Sequence, residues 1–134
     1  MHRNLWNKVG GFSEEYFPGT GSDPDFNMKL WNVGVRIFKG VNDCKVYHFG
    51  SVVLRKKINT IKKNNRYGSN GTKIFLLKWG ISIKFFKKFY LKSNEKYDEP
   101  LSQPKINFSY ILTYILNKIN YFYIKFFYKK NFKS

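Results

Sequence analysis

Behind Asp23-Pro24, apolar residues recur at Phe26, Leu30, Trp31 and Val33 with near-helical spacing, while Asn27, Lys29 and Asn32 fall between them. This pattern predicts a helix with Asp23 as N-cap and Pro24 at the first helical position, where a missing N–H costs nothing. Asp25 then lies in the first turn, at the positive end of the helix dipole, and Gly34 stops the helix as its C′ residue. Val35 to Phe38 predicts a short strand. Gly40 to Asp43 reads as a turn, and Lys45 to Phe49 as a second strand with Val46 and His48 on one face. Upstream, Gly10-Gly11 marks a turn and Pro18 to Gly21 a loop.

Farther along, Lys73 to Lys92 reads as helical but apolar on more than one side, from Ile74-Phe75-Leu76-Leu77 to Phe89-Tyr90, with Gly80 as a break. Ser93 to Pro104, which contains two prolines, reads as a linker. In the last segment, Ser109 to Lys130, residues Lys118, Lys125 and Lys129 stand at i, i+7 and i+11, one helical stripe set against Ile, Leu, Tyr and Phe. The expected divisions are residues 1–54, a basic loop and helix extension over 55–92, the linker over 93–104, and a basic amphipathic helix over 105–134.

Composition sharpens this division. The chain has 134 residues, a formal net charge of +17 and 20% aromatic residues. Up to Gly50 there are 6 Lys+Arg against 5 Asp+Glu, net +1; the remainder has 19 against 3, net +16. Such asymmetry predicts a nearly neutral part able to host carboxylate chemistry, joined to a basic part suited to anionic partners. The lone cysteine, Cys44, excludes an internal disulfide, and with only His2 and His48 beside it a four-ligand Cys/His zinc site cannot be built. Nothing near Met1 resembles the apolar core of a secretory signal. The charge-free run from Ile106 to Asn117 is well short of the roughly 20 residues needed to span a bilayer. The expected address is cytoplasmic, with peripheral contact at the inner face of a membrane.

Four motifs follow in order: Val9-Gly10-Gly11-Phe12-Ser13-Glu14-Glu15-Tyr16-Phe17, then Gly21-Ser22-Asp23-Pro24-Asp25-Phe26, then Gly34-Val35-Arg36-Ile37, then Val46-Tyr47-His48. In this arrangement the chain resembles the acceptor-side half of the family 2 glycosyltransferases, and Lys78-Trp79-Gly80 looks like the region that follows in one bacterial subgroup. The resemblance covers roughly residues 3 to 92. It implies an α/β architecture, a partial GT-A (Rossmann-like) fold followed by basic aromatic helices, and transfer of a sugar with inversion from a nucleotide-sugar donor to a glycan or lipid-linked acceptor. By the same resemblance Asp23 is the general base. Gly10, Gly11, Phe12 and Asp25 line the acceptor side, and His48 helps hold the metal-diphosphate, with Mn or Mg as the divalent cofactor of the complete enzyme. Ser22 departs from the family's glutamate. In that family the nucleotide-binding strands and the metal-binding Asp-x-Asp lie upstream of the Gly-Gly-Phe turn, so the chain is expected to be a C-terminal portion, inactive by itself.

The chemistry asks for the same groups independently. Inverting transfer needs a carboxylate to take the acceptor's proton and cationic help for the departing diphosphate. Asp23 suits the first role; His48, Lys45 or Arg55 suits the second. Each residue also has a plainer role: Asp23 as a helix cap, His48 as an ordinary strand histidine, Trp31 and Trp79 as core, and Cys44 as a small buried hydrophobe. The basic part has three readings: a solvated face packed on a missing half, a membrane-surface helix, or a nucleic-acid platform. The membrane surface is preferred, because aromatics beside a lysine stripe suit anionic lipids and no recognised nucleic-acid motif is present.

Overall fold

The computed structural model describes residues 1–16, 20–39, 70–98 and 100–131. Helix α1 (Arg3–Val9) starts at His2, whose ring Nδ1 accepts the Asn4 N–H, and ends at Gly10, which adopts a left-handed φ of 72°. A single 3₁₀ turn, Glu14–Tyr16, follows. Helix α2 (Ser22–Asn32) carries both aspartates in its first turn, but its N-cap is Gly21, and no side chain caps it. Asp23 is therefore inside the helix. The first backbone bond of α2 runs from Asp25 N–H to Gly21 C=O, so Pro24 occupies a position whose N–H would be unpaired in any case. At the other end Gly34, at φ 95°, is the expected stop: its N–H reaches Trp31 C=O and the Val35 N–H reaches Leu30 C=O. Arg36 adds a bond to the Trp31 carbonyl at 2.6 Å and lays its guanidinium 4.0 Å over the Trp31 ring.

The α/β expectation is overturned. Among the described residues every regular element is helical and there is no strand or sheet, which excludes a partial GT-A (Rossmann-like) arrangement here. Val35 to Phe38 is irregular. It is joined to the segment beside it by bonds from Leu101 N–H to Arg36 C=O at 2.8 Å and from Phe38 N–H to the Tyr97 hydroxyl at 2.7 Å. These isolated contacts do not repeat along the two segments, so no ladder forms there. The second expected strand, Lys45 to Phe49, lies outside the described residues, as do Cys44 and Arg55.

Helix α3 (Asn70–Trp79) ends at Gly80, φ 70°, which is the expected break. One α-turn, α4 (Ile83–Phe85), starts at Ser82, whose hydroxyl accepts the Phe85 N–H, and runs directly into a π-helical stretch, Phe86–Tyr90. Helix α5 (Phe108–Asn131) is the longest element. The expected linker between them forms no helix, yet Leu101 within it is 3% exposed and belongs to the core.

That core joins Tyr16, Met28 and Trp31 to Phe75, Ile81, Phe85, Phe86 and Leu101. Each fully buried phenylalanine contributes about 1.5–3 kcal/mol. The α4 and π-helical turns explain why their sequence is apolar on more than one side: Phe86 faces Phe75, with ring centroids 6.2 Å apart, while Phe85 meets Tyr110 of α5 at 5.0 Å. Where α3 passes the Thr20 backbone only glycine fits, because a Cβ at Gly71 would run into the Thr20 carbonyl. Among the described residues no helix is long and apolar enough to cross a membrane.

Candidate functional site

The Gly-Gly-Phe turn is built from two consecutive left-handed glycines closing α1: Gly10 N–H bonds to Asn7 C=O, and Gly11 N–H to Trp6 C=O. Trp6 lies across the turn so closely that a Cβ on Gly11 would be 2.8 Å from its ring. Gly11 is thus required both for its φ of 59° and for space. Phe12 turns outward and packs with Trp6 and Phe26, whose ring centroids are 5.3 and 5.0 Å from it, leaving Phe12 half exposed.

Beneath this cluster lies Asp25, with no solvent exposure at all. Its Oδ2 accepts the Ser13 hydroxyl at 2.8 Å, and its Oδ1 accepts the Trp79 indole N–H at 2.7 Å. Two ammonium groups flank it, Lys78 Nζ at 3.0 Å and Lys29 Nζ at 3.9 Å. Lys29 also donates to Gly11 C=O at 2.9 Å, and Lys78 donates to Glu15 at 2.7 Å. One carboxylate therefore ties the Gly-Gly-Phe turn, the 3₁₀ turn, α2 and α3 into a unit. Burial by itself would raise the Asp25 pKa, but bonds from Ser13, Lys78 and Trp79 and the charge of Lys78 outweigh it and hold the carboxyl below its ordinary value. Lys78 shows the mirror image: desolvation pulls its pKa down, but Glu15 and Asp25 together raise it. The Tyr16 hydroxyl is buried beside them without a hydrogen-bond partner among the described residues, and burial followed by the Asp25 charge pushes its pKa up.

Asp23, two residues earlier, is exposed and has no hydrogen-bond or ion-pair partner among the described residues. The structure thus joins Gly11 and Asp25 through Lys29 and Ser13, places Phe12 and Gly10 at the rim, and leaves Asp23 open to solvent. His48 lies outside the described residues. Ser13, Lys29, Lys78 and Trp79 are the site residues missed as such from sequence. Only the Asp25–Lys29 pair, at i and i+4, had a local signal.

A divalent ion does not fit this carboxylate. Both Asp25 oxygens are taken by donors, and two ammonium groups already supply its counter-charge. Among the described residues no three His, Cys, Asp or Glu side chains form a metal-holding group. Compared with known proteins, the chain matches no family model, and neither a curated protein nor a solved structure matches it.

Proposed function

We propose that this chain supplies the acceptor side of an inverting glycosyltransferase, with Asp23 as general base. The observation that carries the reading is the division of labour within Asp23-Pro24-Asp25: one carboxylate is buried and fully bonded, the other exposed in the first turn of the same helix. Asp25 cannot serve as the base, because its oxygens are occupied and its ionised form is stabilised. It acts as a positioning residue that holds α2 against the Gly-Gly-Phe turn. In the proposed reaction the acceptor hydroxyl oxygen attacks the anomeric carbon and its proton passes to the Asp23 carboxylate. The bond from that carbon to the diphosphate breaks, with its electron pair leaving on the nucleoside diphosphate. Phe12, exposed beside Trp6 and Phe26, offers an apolar ring face for a sugar to stack on.

In the resembling family the donor-binding elements precede the Gly-Gly-Phe turn, so the test combines the full chain with such a nucleotide-binding half and measures nucleoside diphosphate release from a panel of nucleotide sugars. Transfer is expected only with both present, and Asp23→Asn is expected to lower kcat by about 10²–10⁴-fold. The melting temperature should be unchanged, since Asp23 is exposed. Full turnover by Asp23→Asn, or no transfer with any donor, overturns the reading.

A further inference from the structure

We propose that the outward face of α5 docks on the surface of an anionic lipid bilayer. Helix α5 has 24 residues and is about 36 Å long at 1.5 Å per residue. Its inner side is committed: Asn117 is buried and accepts the Ser82 N–H at 2.7 Å, while Tyr110 packs on Phe85 and Phe89. At 100° per residue, Leu112, Ile115, Ile119, Phe122, Tyr123 and Phe126 fall on the other side within an arc of about 100°. They are 49%, 49%, 62%, 64%, 61% and 68% exposed. Between Leu112 and Phe126 this arc carries no polar group except the Tyr123 hydroxyl. So wide and continuous an apolar stripe marks an interaction surface rather than scattered exposure.

Charge identifies the occupant. Lys118 and Lys125 stand along one rim of the stripe, their ammonium groups over Tyr114 at 5.0 Å and Tyr121 at 5.4 Å. From that rim the long lysine side chains can swing to headgroup phosphates while the apolar face enters the acyl boundary, although the Lys118 ammonium rests beside Gly80 in this structure. The sequence adds Lys129, Lys130 and Lys133, and no acidic residue follows Glu99. A second copy would bring lysine rim against lysine rim with no acidic residue on either helix, on a chain of net charge +17. Nucleic acid would find hydrocarbon where the face is widest. The helix is not apolar enough to span, so it lies in the plane of the interface. This inference stands independently of the transferase reading.

The test is co-sedimentation of the full chain with phosphatidylcholine vesicles, plain or carrying about 30% phosphatidylglycerol. Binding is expected to be at least about tenfold stronger on the anionic vesicles and to weaken with salt. The double variant Ile119→Glu, Phe122→Glu should lose that binding while keeping its helical circular dichroism. In case it does not fold, Lys118→Gln with Lys125→Gln should weaken binding to anionic vesicles alone, and Phe122→Trp should be quenched by brominated acyl chains. Equal binding to both vesicle types, no binding, undiminished binding by a folded double variant, or a concentration-dependent dimer abolished by it each overturns the proposal.

Discussion

Asp25 is ionised without touching solvent, so its charge depends entirely on Ser13, Trp79, Lys78 and Lys29. Removing the carboxylate leaves the Trp79 N–H and the Ser13 hydroxyl without their acceptor, while Lys78 keeps Glu15, and Asp25→Ala is expected to cost about 1–3 kcal/mol in urea unfolding. The pH dependence has a definite sign. The folded pKa of Asp25 lies below its unfolded value, so its contribution is present above about pH 4 and is lost as pH falls through the folded pKa. Lys78 is raised, so its contribution is complete below its unfolded pKa of about 10.4 and is lost as pH rises through the folded value. Asp25→Asn should flatten the acid limb of a plot of urea midpoint against pH; an unchanged limb would assign the acid sensitivity elsewhere. At this scale the motif aspartates were legible as residue types, but not their separation into one exposed and one buried. Alternation of that kind is decided by what packs over the first turn of α2, and the indole and ammonium that do so come from positions 78 and 79.

Among the elements, α2 and α5 were readable because their signals are local: apolar periodicity, the acidic first turn, Gly34 as a stop and Gly80 as a break. The strand expected over Val35 to Phe38 failed because a strand needs a partner along its length, and the segment around Leu101 meets it at isolated points rather than as a ladder. How α5 is fastened was not legible. Asn117 accepts the Ser82 N–H with Oδ1 and donates Nδ2–H to Thr113 C=O at 2.7 Å, so one amide joins α5 to the start of α4. Asn117→Ala should leave that N–H unsatisfied at a cost of about 1–3 kcal/mol, whereas Asn117→Asp, which keeps the acceptor, should lose less. Guanidinium unfolding midpoints of the two variants would check the order.

Across the whole molecule, the nearly neutral and strongly basic parts recognised in the composition are not separate bodies: Tyr16, Met28 and Trp31 share one core with Phe75, Phe85 and Phe86. A net charge of +17 on a chain of 134 residues implies self-repulsion. Raising ionic strength from about 0.01 to about 0.15 M, which shortens the Debye length from roughly 30 to 8 Å, is expected to raise the melting temperature. A calorimetric Tm that fell with added salt would show that screened attractions outweigh the repulsion. The same lysines are what an anionic surface would meet along α5.

The amino-acid sequence by itself determined that α2 and α5 are helices, which glycines stop a helix, the lysine stripe, and the candidate aspartate pair. All of these follow from interactions within one or two turns of chain. Only the tertiary structure decided that no sheet forms among the described residues, that Asp25 is buried while Asp23 is not, and that the apolar side of α5 faces outward. Those outcomes depend on contacts between residues tens of positions apart, where shape and pairing partners, rather than spacing, select the arrangement.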